Sequence, residues 1–92
     1  MTNQIQHDPE AEKFFITLDG DEAILEYHLD GNVMDFYHTY VPNSVRGKGI
    51  AEKIVTAGFE YARAKNLKVM PSCPYISATF LKRYPQYQSL VV

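Results

Sequence analysis

The sequence predicts an α/β fold: a mixed, mainly antiparallel sheet with two helices. Three observations carry this. Three β-rich runs, residues 14–18, 22–29 and 33–41, follow one another across Asp19-Gly20-Asp21 and Asp30-Gly31-Asn32, which is the pattern of an antiparallel meander. From Ile50 to about Lys65 the apolar residues recur at helical spacing. A short β-rich run, residues 68–72, comes after that helix. A strand, a crossover helix and a second strand imply a right-handed connection, with parallel pairing where the two strands are neighbours.

Taken in order, residues 1–10 are polar, contain Pro9, and read as a flexible lead-in to a single domain over residues 11–92. In the second run Ala23, Leu25, Tyr27 and Leu29 share a face. In the third, Met34, Phe36, His38 and Tyr40 share one face, and Val33, Asp35, Tyr37, Thr39 and Val41 share the other. Neither face is purely polar, which suits a central strand. Pro42 has no amide hydrogen and ends that strand. The helix carries Ile50, Ile54, Gly58 and Ala62 in one row, with Val55 and Phe59 beside it, and Glu52, Lys53, Glu60 and Arg63 on the remaining surface. Asn66 is placed to end it in a left-handed conformation. Pro74 suits a first helical position, so residues 76–84 read as a short second helix with Ile76, Phe80 and Leu81 inward, stopped by Pro85. The apolar tail Ser89-Leu90-Val91-Val92 adds contacts or an edge strand.

Bulk properties exclude several classes. Ninety-two residues make one small domain with a limited core. A net charge of −2 gives no basic excess, so nucleic acid is not an expected partner. No apolar run approaches the roughly 20 residues needed to cross a bilayer, and the first residues lack the basic start and apolar core of a secretory signal. The single cysteine, Cys73, permits no disulfide within the chain, which favours a reducing, cytoplasmic setting. His7, His28, His38 and Cys73 do not form a zinc-ligand spacing, so no metal is expected.

Between the third run and the helix lies Arg46-Gly47-Lys48-Gly49-Ile50-Ala51. Two glycines let the backbone turn tightly and let a ligand approach it. The unpaired amides of the helix start, with the positive end of its dipole, favour a phosphate or pyrophosphate. Arg46 and Lys48 add cations there; as a plain alternative they are solvated charges. The spacing is not that of a nucleotide-triphosphate loop, which needs four residues between its glycines and a following Gly-Lys-Ser or Gly-Lys-Thr. A dinucleotide fold is excluded too, because the strands before the turn are antiparallel.

This order of strand, Arg46-Gly47-Lys48-Gly49-Ile50-Ala51 and helix resembles the GCN5-related N-acetyltransferases. Their acetyl-coenzyme A signature places Gln or Arg first, Gly fourth, and Gly or Ala sixth; Arg46, Gly49 and Ala51 fill those positions. The run from His38 to Val55, with Lys68–Met70 and the residues that follow to Tyr87, looks like the minimal, single-domain subfamily. The resemblance implies a sheet whose fourth and fifth strands splay, with the pantetheine arm of acetyl-coenzyme A in the gap. It implies that Tyr40 and Val41 offer backbone groups to pantetheine, and that Arg46, Gly47, Lys48, Gly49, Ile50 and Ala51 hold the pyrophosphate. The chain departs from longer members in lacking their N-terminal helices. It has Phe80 and Leu81 near the position of a tyrosine that protonates the leaving thiolate, and no obvious acidic base on the fourth strand.

Two residues are candidates for chemistry. Cys73, before a helix start, could accept the acetyl group as a thioester or steer the acceptor; the alternative is a buried cysteine acting as a small hydrophobe. His38 could act as general base for an amine; the alternative is a packed strand histidine. The expected function is transfer of an acetyl group from acetyl-coenzyme A to an amine, with a protein amine among the acceptors. The competing expectation is a non-catalytic module that binds coenzyme A or its acyl forms beside a protein partner.

Overall fold

The computed structural model describes residues 4–18 and 20–92. Met1 to Asn3 of the expected lead-in, and Asp19 of the first turn, lie outside the described residues. Five strands form one sheet in the order β1 (Gln6–Asp8), β2 (Lys13–Leu18), β3 (Asp21–Asp30), β4 (Val33–Tyr40), β5 (Lys68–Met70). The first four pair antiparallel, and β4 pairs β5 in parallel. Helix α1 (Ile50–Ala64) makes the crossover. The meander, the crossover and the parallel pair agree with the sequence expectation.

The lead-in differs from its expected form, because Gln6–Asp8 is a strand paired with β2. Its sequence lacks apolar alternation. Side-chain contacts hold it instead: the His7 ring stacks on Phe14 at 4.1 Å between centroids and meets Tyr61 edge-on at 4.4 Å.

The second surprise is in β4. Opposite β3, Glu26 faces His38 while the next residue, Tyr27, faces Phe36. Tyr37 is therefore an extra residue, a β-bulge that breaks the two-residue alternation. Met34 and Phe36 point into the core, but beyond the bulge Thr39, opposite buried Leu25, takes the inner side. His38, opposite Glu26, and Tyr40, opposite Ile24, turn to the outer face. The expected shared face of Phe36, His38 and Tyr40 is thus corrected.

Helix α1 lays Ile54, Val55, Gly58, Phe59 and Ala62 against the inner face of the sheet. Each fully buried Ile, Val or Phe side chain contributes roughly 1.5–3 kcal/mol, so this stripe is the main support of the fold. Its end is a complete left-handed cap: Asn66 has φ 59°, its amide reaches Arg63 O, and the Leu67 amide reaches Ala62 O at 2.8 Å.

After β5 the chain turns at Cys73 and enters a second helical segment over residues 74–83. Its middle, Ile76–Phe80, is wound as a π-helix, and its last turn, α2 (Leu81–Arg83), returns to α geometry. A 3₁₀ segment, Pro85–Leu90, follows, and Val91 bridges Val69 at the edge of β5, as the apolar tail suggested. Phe59 meets Phe36 edge-on at 5.3 Å and stacks on Phe80 at 5.5 Å and Tyr87 at 5.0 Å, joining sheet, α1 and the C-terminal segment. These helical segments cover one side of the sheet. The other side leaves Tyr37, Tyr40 and Met70 exposed.

Candidate active site

Strands β4 and β5 pair only through Val33, Met34 and Asp35 against Lys68, Val69 and Met70. The last link is the Cys73 amide, which donates to Phe36 O at 2.9 Å. Past that point β4 continues to Tyr40 with β3 on one side, while the other chain leaves into the 74–83 segment. A gap opens along the edge of β4, and each wall carries its own chemistry.

At the apex stands Cys73, buried, its Sγ 3.5 Å from Thr39 Oγ1. Its carbonyl accepts the amides of Ile76 and Ser77, so the thiol sits on the residue that starts the helix. The bulge at Tyr37 is what brings Thr39 to this side. Asp35 lies on the apex from the outer face; its Oδ1 is buried and has no hydrogen-bond partner among the described residues. A buried carboxylate oxygen left this way is unusual enough to call for a role.

At the mouth lies the glycine turn. Gly47 and Gly49 have φ of 83° and 72°, a left-handed conformation that side chains with a Cβ adopt only under strain. Gly49 is the residue capping α1, and no side chain caps the helix start, so its first amides are turned outward. Arg46 folds back, its Nε donating to Val41 O at 3.0 Å, and so ties the end of β4 to the turn. Val41, Arg46, Gly47, Gly49, Ile50, Ala51, Glu52 and Tyr75 enclose a hollow of about 290 Å³. Burial and the nearby Glu52 carboxylate push the Tyr75 hydroxyl above its usual pKa, so it stays protonated. Lys48 is exposed on the turn.

A larger hollow, about 600 Å³, lies on the opposite flank of α1 among Gln4, Ile5, Ile16, Lys53, Thr56 and Ala57. The glycine turn does not line it. The smaller one is the better equipped of the two, because the uncapped amides of the helix start and Arg46 line it.

The sequence profile of the GCN5-related N-acetyltransferase family matches residues 13–90. The chain belongs to the GCN5-related N-acetyltransferase family. The protein NATD1 of Gallus gallus is 34% identical over 90 residues, spanning 95% of this chain and 81% of that one. The protein NATD1 of Homo sapiens is 33% identical over 90 residues, spanning 95% of this chain and 79% of that one. The solution structure of a GCN5-like protein from Staphylococcus aureus superposes with a TM-score of 0.76 at 30% identity, covering all of this chain and 91% of that one.

Within this acetyltransferase fold, the residues singled out from sequence fall into three groups. Val41, Arg46, Gly47, Gly49, Ile50 and Ala51 line the hollow at the mouth, and Lys48 is exposed on the same turn. Cys73 is at the apex. His38 and Tyr40 stand on the outer face, exposed, and it is Thr39 that meets the thiol. Three residues of the gap escaped the sequence reading. Thr39 was hidden by the bulge, and Tyr75 by an expected helix start one residue later. Asp35 carried a visible signal, an acid in the middle of a central strand. Among the described residues no cluster of three metal-ligating side chains occurs, and no helix is long and apolar enough to cross a membrane.

Proposed function

We propose that the chain binds acetyl-coenzyme A in the gap between β4 and β5 and transfers the acetyl group to an amine. The observation that carries this reading is the unpaired β4 edge leading from the Cys73 thiol to the uncapped glycine turn. The fit of the group is good. Backbone of Tyr40 and Val41 is available to pair with the amide-bearing pantetheine arm. The amides from Gly47 to Ala51 suit the pyrophosphate, and Arg46 and Lys48 supply positive charge. Arg46 spends one N–H on Val41 and keeps the rest of its guanidinium donors for phosphate oxygens. Tyr75 closes the hollow opposite the turn.

The amine enters from the open outer face of the sheet. That face has few walls for a small molecule, which favours an amine carried on a protein. The amine nitrogen attacks the thioester carbonyl, the C–S bond breaks, and coenzyme A leaves as its thiolate. Asp35, whose buried Oδ1 has no hydrogen-bond partner among the described residues, takes the proton that the amine sheds; His38, further along the same face, is the alternative acceptor. In a two-step route Cys73 Sγ attacks the thioester carbonyl first, the C–S bond to coenzyme A breaks and the Cys73 proton passes to the departing coenzyme A sulfur; the amine then displaces Cys73 from the acetyl group and returns a proton to its Sγ.

An amide-resolved titration with acetyl-coenzyme A is expected to move the signals of Arg46 to Ala51; no shift there would sink the coenzyme assignment. An acceptor screen following thiol release separates the chemical roles. Asp35→Asn abolishing turnover while His38→Ala retains it supports the first proton route, and the reverse supports the second. An acetyl adduct on Cys73 by mass spectrometry, lost in Cys73→Ala along with turnover, selects the two-step route. Coenzyme binding with no turnover on any amine would reduce the protein to a binding module.

A further inference from the structure

Glu52 is used by none of this chemistry, yet it borders both hollows beside α1. It lies in the first turn of the helix, directly after Ala51. Its Oε1 accepts Arg83 Nη1 at 2.6 Å, and its Oε2 accepts the Tyr84 hydroxyl. Arg83 ends the 74–83 segment and Tyr84 directly follows it, 31 and 32 residues away in sequence. The Glu52 side chain is 26% exposed and that of Arg83 63%, so the part-buried Tyr84 bond is the firmer half of the tie.

We propose that Glu52 is a positioning residue of the coenzyme cleft: its carboxylate fastens the end of the 74–83 segment to the first turn of α1 and sets the width between Tyr75 and the glycine turn. The proposal rests on the coenzyme reading above. The segment is short and holds a π-wound stretch, Ile76–Phe80, whose hydrogen-bond geometry is less regular than that of an α-helix. Its beginning is pinned to β4 by the Cys73 amide on Phe36 O. Its end is pinned by Glu52. Tyr75 rides between the two pins and forms one wall, while Ile50 and Ala51, in the same turn as Glu52, form the other. The Tyr75 hydroxyl feels both members of the tie, Glu52 raising its pKa and Arg83 lowering it, which places the wall within electrostatic reach of the pin.

A simple charge argument predicts the opposite sign. A carboxylate beside a pyrophosphate site repels the ligand, so removing it should tighten binding. The tie predicts weaker binding, because the wall is released. The experiment is a calorimetric titration of acetyl-coenzyme A into the full chain and into Glu52→Ala, Glu52→Gln, Arg83→Ala and the Glu52→Ala/Arg83→Ala double variant. The expected result is that Glu52→Ala binds about tenfold more weakly, the scale of losing charge-assisted bonds in a coupled network. Glu52→Gln keeps an acceptor for Tyr84 and recovers part of that loss, and the double variant binds no worse than Glu52→Ala. Amide signals over 74–83 move in the free Glu52→Ala protein while those of β2 and β3 stay in place. Equal or tighter binding by Glu52→Ala overturns the proposal, as do additive losses in the double variant. If the parent chain itself neither binds nor shifts its Arg46 to Ala51 amides, the coenzyme reading fails, and the positioning role fails with it.

Discussion

His7 makes a strand out of a polar segment. Its ring lies flat on Phe14, meets Tyr61 edge-on, and shares a 2.6 Å hydrogen bond between Nε2 and the Tyr27 hydroxyl. Burial pushes Tyr27 up to about 12, so the phenol keeps its proton; it donates where Nε2 is the bare nitrogen of the ring and accepts where Nε2 carries a hydrogen. The His7 pKa is lowered from 6.5, chiefly by burial, with neighbouring Asp8 working against the shift. The folded chain therefore binds fewer protons than the unfolded chain just below 6.5, and stability rises with pH across that window and levels off above it. Thermal midpoints measured from about pH 5 to pH 7 should climb, and His7→Phe, which keeps the stack and cannot titrate, should flatten the climb. Glu12, held low by the Leu29 amide, and Glu60, held low by Arg63, act with the same sign but only below 4.5. A slope that persists unchanged in His7→Phe would assign the effect elsewhere. At this scale little was legible beforehand. Arg46, Gly49 and Ala51 announce themselves because they are adjacent in sequence. Thr39 and Cys73 meet across 34 residues, and Glu52 and Arg83 across 31, which no local pattern records.

The elements were more legible, because each rests on a periodicity. Helix α1 keeps its apolar row, and the structure adds why the row contains a glycine. A Cβ on Gly58 would stand 2.9 Å from Leu25 Cδ2 and 3.0 Å from Phe36 Cζ. Both partners are fully buried, so neither can move into solvent. Alanine improves helix propensity by roughly 0.5–1 kcal/mol, while forcing a methyl into a packed core costs roughly 1–3 kcal/mol. Gly58→Ala should thus be net destabilising by about 1 kcal/mol in chemical denaturation, against the trend for helical glycines. A stabilised variant would mean that α1 stands off from the sheet. Where the pattern failed, a local irregularity was the cause. The bulge at Tyr37 shifted every face assignment after Phe36, so His38 and Thr39 exchanged sides. The π-wound Ile76–Phe80 leaves its apolar positions at 76, 80 and 81, spacings that an ordinary helix shares. Strand β1 has no period to read at all; it follows from tertiary contacts of His7 and Ile5 with residues from three other elements.

At the scale of the whole molecule, the sheet is covered on one side and split at one end, where β4 runs on past its pairing with β5. β4, the glycine turn and the 74–83 segment form its walls, linked across the opening by the Cys73 amide, the Thr39 contact and the Glu52 tie. A ligand seated there contacts all three walls at once and binds only the folded chain. It should raise global stability by mass action, about 2.7 kcal/mol at a free concentration one hundred times its dissociation constant. For a domain of this size that corresponds to a rise in thermal midpoint of about 10 °C or more. Under the proposed function, acetyl-coenzyme A and coenzyme A should both produce it, because both carry the pyrophosphate and the pantetheine arm. Gly49→Val separates ligand recognition from fold. At φ 72° a β-branched residue is strained, which lowers the midpoint of the free protein by the cost of a left-handed conformation, roughly 1–2 kcal/mol. A turn relaxed out of that conformation no longer aims its amides at one point, so the ligand-induced rise should shrink as well. Gly31→Val is the control, since Gly31 has a comparable φ of 62° but lies in the β3–β4 turn, outside the residues lining the cleft. It should lower the free midpoint and leave the ligand-induced rise intact. Equal losses in both variants would make the glycine turn a fold element only, and a parent chain whose midpoint ignores saturating acetyl-coenzyme A would remove the cleft from the list of coenzyme sites.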